Sequence, residues 1–597
     1  MNQYVSLRNT RFLLHEWLTV SDLQQYAYYA DYDKEAMDML LDAAKQIADT
    51  TMFPYHREMD KFKVTVKDGV TTVHPMLKPM IKALADGGWI SAHVPYEYGG
   101  SQMPLSILNA GLLTFYAASV NASYSFLTSG AANLILSFGS ESLKQMCLPN
   151  MYNGNWQGTM ALTEPQAGSS LTDITTSAEL QADGNYKIKG QKIYISGGDH
   201  DAVDNFVHLT LAKIKGAPAG TKGISLFVVF KQRPDGDSWT FNDVTTAGVY
   251  GKMGQKNYTA AHLMYGEKDD CIGYLVGEPH HGLSYMFQMM NEARIGTGLM
   301  ACGNAMTAYY ASLKYAHERP QGRHLSQKDP NLPQVTIIEH AEVRRKLLYQ
   351  KAIVEGSAAL LMYCSKKADL ATVAEGETKA NAHLILELLT PIAKSYPSEL
   401  GIVAVKEAMQ VFGGAGYCDD FPIEQYYREI PINTIYEGTT TIHGLDLLGR
   451  KVMMEKGKAL NLFSAEVTET IKKGMASEKL KLYAQKLATT AQKLSECTQH
   501  LMSLAMAEKP EVFTADATLY LEYFGNVTIA WLWLEQAILA EKQLQHADNQ
   551  DDKSFYDGKI QTCIFYFEYE LPKTRAAHER LMSPVRVSLD IDIASIC

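Results

Sequence analysis

YKIKGQKIYISGG, residues 186–198, decides the fold class: apolar and polar side chains alternate along it, and a glycine pair closes it, as in a half-buried strand running into a turn. The same texture returns in NFVHLTLAKI (205–214) and KGISLFVVFK (222–231), with turn signals DGN at 183 and PDGD at 234. Residues 156–281 therefore read as an antiparallel β-domain. Upstream, AMDMLLDAAKQIADT (36–50) and HPMLKPMIKALADGGWI (74–90) space their apolar groups by three and four, which predicts a helical domain over 36–155. Downstream, residues 282–319 and 335–370 carry helical spacing over lengths typical of a bundle, 282–450. A lysine- and alanine-rich helical segment fills 451–597, and 1–35 is an N-terminal extension. The expected fold class is α+β, mainly helical, with ATVAEGET (371–378) as a flexible loop.

At 597 residues the chain exceeds one ordinary core and implies several domains. A net charge of −11 excludes wholesale nucleic-acid binding, so any anionic ligand is held locally. Residues 1–18, MNQYVSLRNTRFLLHEWL, lack the order of a secretory signal, and no stretch has the length of a membrane span, so the cytoplasm is the expected compartment. Eight dispersed cysteines without a C-x-x-C pair suggest neither a disulfide framework nor zinc. No G-x-S-x-G, H-E-x-x-H or EF-hand pattern is present, and His280–His281 are adjacent rather than one helical turn apart, so no metal site is expected.

Several stretches read in two ways. TMALTEPQAGSSLTDI (159–174) is an ordinary β-turn loop, or a loop whose small residues and hydroxyls meet a phosphate or a ring edge. VFGGAGY (411–417) lacks the pattern of a P-loop or a dinucleotide fingerprint and by itself marks a helix end. ERPQGR (318–323) is a solvated helix terminus or a pyrophosphate clamp. Arg294 in MMNEARIG has mostly apolar or small helical neighbours, which suits a buried ion pair or a site role. In IYEGTTTIHG (435–444), Glu437 stands ahead of three threonines and a helical pattern, so it is a helix-cap neighbour or an isolated functional carboxylate.

Taken jointly and in this order, PYEYGG, ALTEPQAGSS, KIYISGG, EARIG, ERPQGR, QVFGGAGY and IYEGTT resemble the acyl-CoA dehydrogenase family over about residues 36–450. The N-terminal extension and the segment after 450 look like its longer bacterial branch, which includes methylmercaptopropionyl-CoA dehydrogenases. The resemblance implies FAD between the β-domain and the second helical domain. Leu162 and Thr163 would meet the flavin ring, Gly168 and Ser169 the pyrophosphate, and Ile195 with Ser196 the ring near its reactive nitrogen. Arg319 would also contact the pyrophosphate, Gln410, Gly413 and Gly414 the far end of the cofactor, and Thr439 the FAD just past the base. Ser169, Asn291, Arg294, Tyr436 and Gly438 are implied on the acyl-CoA substrate. An electron-transfer flavoprotein is the implied acceptor, and a C-terminal domain over the surface that shorter relatives use for tetramers implies a homodimer.

Glu437 matches the family's catalytic base, with Arg294 beside it. The reaction removes a weakly acidic proton next to a thioester and a hydride from the adjacent carbon, so one carboxylate suffices when a flavin takes the hydride. A free glutamate, pKa about 4.3, is a weak base, and burial beside Tyr436, Ile435 and an acyl chain would raise it towards roughly 6–7. Ser170, Tyr194, Asn291, Thr441 and His443 depart from the family's usual residues and bear on substrate choice and FAD affinity. Two rival readings fit the same residues: an acyl-CoA oxidase, and a non-catalytic acyl-CoA- or flavin-binding scaffold.

Overall fold

The computed structural model describes residues 3–327 and 329–596. Cys597 lies outside them, and the other seven cysteines are free thiols. The chain forms two compact units, Met39–Gly296 and Met1–Asp38 with Thr297–Cys597.

All described strands belong to Met39–Gly296. They are β1 (Thr65–Lys67), β2 (Val70–Thr72), β3 (Trp156–Ala161), β4 (Ser177–Leu180), β5 (Tyr186–Ser196), β6 (Asn205–Ile214), β7 (Ile224–Phe230), β8 (Gln232–Asp235), β9 (Ser238–Phe241), β10 (Val244–Val249), β11 (Ala260–Tyr265) and β12 (Ile272–Leu275). The main sheet runs β10-β11-β5-β12-β7-β6-β3, with β4 pairing both β5 and β6. The predicted turn at 183 falls between β4 and β5, and the one at 234 begins in the last two residues of β8 and turns at Gly236–Asp237 into β9. The expectation of a purely antiparallel domain is corrected, since β3 and β4 each pair with β6 in parallel. Strand alternation reports burial on two faces and carries no information on the direction of the partner.

The β1–β2 hairpin was not foreseen inside a helical segment. Its signal is nonetheless present: Asp68-Gly69, at φ 51° and 76°, joins two valine–threonine runs, as a primed turn requires. β7 is buried throughout and apolar but for Ser225 because both its faces are covered. Leu226 and Val228 pack on one side with Leu134 and Ile135 of the Ser123–Phe138 helix, while Phe227 and Val229 pack on the other with Ile188 and Ala261.

In Met1–Asp38 with Thr297–Cys597, the helices Ala341–Val373 and Gly376–Phe412 follow one another with two residues between them. This corrects the expected loop at 371–378: Ala374 and Glu375 alone break the helix, and Gly376 at φ 56° makes the turn. Pro391 and Pro397 lie inside the second helix. Pro397 has no N–H, so the Ala393 carbonyl loses its helical donor. Gly298 lies against that carbonyl so closely that a Cβ at 298 would come 2.1 Å from the Ala393 oxygen. Gly298→Ala is expected to cost about 1–3 kcal/mol by forcing the helices apart. Chemical unfolding checks this, and an unshifted midpoint would show that the contact yields freely.

The helix Ala517–Leu544 is apolar on nearly every side and forms the centre of the C-terminal segment. Trp533, fully buried, donates its indole N–H to the Ala352 carbonyl at 3.0 Å. Lys559, also fully buried, donates to Glu355 at 2.7 Å, to Gln536 at 3.1 Å and to Asn9. The N-terminal extension is thereby fastened to the last helices, with Phe12 packed edge-on against Phe555. Among the described residues no helix is long and apolar enough to cross a membrane.

Candidate functional site

β5 does not keep its alternation to the end. It pairs Ile195 with Ala261 but Lys192 with Leu263, so one extra residue bulges between them. Tyr194 takes φ 58° there and turns outward, 58% exposed and tilted against Tyr250 at 4.4 Å. The bulge lets Lys192, Ile193 and Ile195 all point inward and delivers Ile195 and Ser196 to the turn at Gly197, φ 61°. Sequence reading placed the strand and missed the bulge, for which the non-alternating K-I-Y-I was the available sign.

Beside this strand end runs the loop after β3. Lys192, 0% exposed, donates from Nζ to the Leu162 carbonyl at 2.9 Å and to Glu164 at 2.8 Å. Ile193 N–H donates to the Thr163 carbonyl at 2.9 Å. Glu164 also accepts from the amides of Thr175 (2.6 Å) and Thr176 (3.0 Å), closing the loop that carries Gly168 and Ser169. Leu162, Thr163, Gly168, Ser169, Ile195 and Ser196 are therefore brought together on two adjoining stretches, with Gly168 and Ser169 exposed. The ion pair that registers those stretches, Glu164 with Lys192, was missed, because nothing in the sequence says that these two side chains meet.

Burial alone would raise the Glu164 carboxyl, but Lys192 and the Thr175–Thr176 donors outweigh it and bring it down to about 2. Burial likewise pushes the Lys192 ammonium down to about 8, against the attraction of Glu164. The folded carboxyl is below its unfolded value, so its contribution is present above about pH 4.5 and lost as pH falls through about 2. An acid titration is expected to remove about 3 kcal/mol over that window. Glu164→Gln should abolish this step, and an unchanged acid limb in the variant would refute the assignment.

Asn291 and Arg294 stand on the helix Gly282–Glu318, and the buried Arg294 donates from its guanidinium to Asn291 Oδ1 at 3.2 Å. Asn291 thus serves as a neutral acceptor for the arginine one helical turn on.

The remaining candidates belong to Met1–Asp38 with Thr297–Cys597. Arg319 follows the end of Gly282–Glu318 with its side chain exposed, and its carbonyl accepts from the Ile337 N–H at 2.8 Å. Gln410 lies on the last turn of Gly376–Phe412. Gly413, at φ 62°, and Gly414 follow it, with nothing within 4 Å of where their Cβ atoms would stand.

Glu437 and Gly438 both take left-handed backbone, φ 55° and 91°, between Tyr436 and the helix Thr440–Gly449. A non-glycine residue in this region is strained and marks a position fixed by its surroundings. His443 Nε2 lies 3.0 Å from the Glu437 carbonyl, and since a carbonyl only accepts, Nε2 carries the proton. A Cβ at 438 would lie 3.0 Å from that same nitrogen. Lys394 Nζ donates to the Gly438 carbonyl at 2.7 Å, and Tyr436 OH donates to Asn433 Oδ1 at 2.9 Å. Thr439 caps the helix, its Oγ1 accepting from Ile442 N at 3.4 Å. The two readings of IYEGTT therefore coexist, Thr439 as the cap and Glu437 as a half-buried carboxylate. Ile435, expected to help bury Glu437, is itself 57% exposed.

The residues fit FAD. The Thr163 amide has no acceptor among the described residues, the space over Gly168, Gly413 and Gly414 is open, and the Ser169 hydroxyl is exposed.

Four family models match in sequence: acyl-CoA dehydrogenase N-terminal domain (34–155), middle domain (159–266) and C-terminal domain (280–453), and the acetyl-CoA dehydrogenase C-terminal like domain (463–592). The chain belongs to the acyl-CoA dehydrogenase family. It is 33% identical over 592 residues to a butyryl-CoA dehydrogenase of Syntrophomonas wolfei, covering 96% of this chain and 95% of that one. It is also 33% identical over 577 residues to the 3-methylmercaptopropionyl-CoA dehydrogenase of Ruegeria pomeroyi, covering 95% of each. An acyl-CoA dehydrogenase of Bacillus anthracis complexed with FAD superposes with a TM-score of 0.71 at 21% identity, covering 94% of both chains. As a member of the family, the chain is an FAD-dependent oxidoreductase that dehydrogenates acyl-CoA thioesters.

Proposed function

We propose that the protein converts a saturated, short linear acyl-CoA to the trans-2-enoyl-CoA with Glu437 as the proton-abstracting base. The observation that carries this reading is the left-handed Glu437–Gly438 pair, a strained turn whose carbonyls are both held by side chains. When bound, FAD would supply the hydride acceptor for the carbon next to the one that Glu437 deprotonates. Leu162, Thr163, Ile195 and Ser196 would hold the ring, Gly168, Ser169 and Arg319 the pyrophosphate, and Gln410, Gly413, Gly414 and Thr439 the rest of the cofactor. Asn291, Arg294, Tyr436, Gly438 and Ser169 orient the thioester, and a backbone N–H of the turn stabilises its enolate oxygen.

The butyryl- and 3-methylmercaptopropionyl-CoA relatives support a short acyl chain. An electron-transfer flavoprotein as acceptor, a homodimer, a cytoplasmic location and the division at 35, 155, 281 and 450 belong to the same reading. Anaerobic titration with butyryl-, octanoyl- and palmitoyl-CoA, followed by bleaching of the flavin absorbance, tests it. Butyryl-CoA is expected to bleach fully and palmitoyl-CoA least, and the opposite order would overturn the short-chain assignment.

A further inference from the structure

We infer that Lys394 is a positioning residue for the base: its ammonium pins the Glu437–Gly438 turn and supplies the positive charge that keeps the Glu437 carboxylate ionised. The inference rests on the assignment of Glu437. Lys394 lies in TPIAKSYP (390–397), between the two prolines that interrupt its helix. The Ser398 hydroxyl donates to the Lys394 carbonyl at 2.6 Å, steadying the backbone where Pro397 has removed a donor one residue away. The side chain is 0% exposed, and an ammonium is kept in an interior only where paired acceptors repay its lost hydration. One of its acceptors is the Gly438 carbonyl at 2.7 Å, directly after Glu437.

A neutral donor would hold a carbonyl equally well and at less cost in desolvation. What the ammonium adds is field. A carboxylate losing water to an acyl chain drifts towards protonation, and a protonated acid cannot act as base. Arg294, which the family resemblance sets beside the base, donates to Asn291, and the groups named next on the elements around the turn are acids or are already engaged. Glu399 on the same helix contacts Thr440 Oγ1, His443 spends its Nε2 proton on the Glu437 carbonyl, and Asp446 on Thr440–Gly449 is itself acidic. Tyr436 lies within the turn, and Glu522 on Ala517–Leu544 has its carboxyl pushed up by burial and by Glu399.

The test is the pH profile of flavin reduction by butyryl-CoA in the holoenzyme. Lys394→Met is expected to move the acid limb up by about one pH unit, so that reduction falls about tenfold near pH 6 and little near pH 8.5. Lys394→Gln, which keeps a donor for the Gly438 carbonyl, should shift the limb likewise. A purely structural loosening would lower the rate equally at every pH, and an unmoved limb in a folded variant overturns the inference. Should neither variant fold, the parental limb decides: below about pH 7 it supports the inference, and at or above that value it overturns it. Glu437→Gln is run alongside. Retained reduction there fails the base assignment, whereas lost reduction with an unmoved Lys394 limb fails this inference alone.

Discussion

Glu437→Gln is expected to yield folded, yellow protein whose flavin is reduced by acyl-CoA about 10³-fold or more slowly than in the parent. Glutamine matches glutamate in shape and meets the same backbone demand at φ 55°, so the turn held by His443 and Lys394 is retained. What is lost is the ability to accept a proton, and a positioned general base contributes about 10²–10⁴-fold. Because the interaction is realised only as the proton moves, the loss should fall on the reduction rate and leave acyl-CoA binding near parental. Stopped-flow reduction separates the two quantities. Parental reduction by every acyl-CoA tried would remove Glu437 from the chemistry.

Lys192→Met has the largest expected effect on the scaffold. It deletes one partner of an ion pair in which both side chains are at most 1% exposed, leaving Glu164 buried with a charge and the Leu162 carbonyl without its donor. Breaking such a pair costs about 3–5 kcal/mol, more than the pair is worth against an apolar replacement of both. The Leu162–Thr163 peptide and the 163–176 loop should lose their register with β5, and FAD affinity should fall with stability. Lys192→Met with Glu164→Leu is expected to recover part of the stability and little of the affinity. A single variant as stable as the parent would show that Glu164 simply takes up a proton.

How far the sequence could be read differs between the two halves of the site. The strand β5 was legible because alternation is a local property, and it ceased to be legible at Tyr194, where a bulge depends on what β11 offers opposite. The turn at Glu437 has no periodicity to reveal it. Only the ordered set of motifs marked it, and its neighbours His443 and Lys394 act through contacts 6 and 44 residues away in the chain. His443 entered as a departure from the family pattern and proves to hold the carbonyl of the proposed base. The junction at 374–375 was misjudged for a related reason: a glycine and polar residues signal a turn but not its length. Ile435 was expected to help bury Glu437 from adjacency, which does not reveal that Ile435 itself is largely exposed.

The clasp formed by Lys559 with Asn9 and Glu355 sets an order of events at the ribosome. Lys559 and Asn9 are 550 residues apart, so at about 5–20 residues per second the leading segment emerges roughly 30–110 s before its anchor exists. Through that interval Phe12, Leu13 and Leu14, all buried in the finished protein, have no finished surface to settle on. The nascent chain must carry this sticky segment until Lys559 has been made, and so it should depend on chaperones that hold the segment in the meantime.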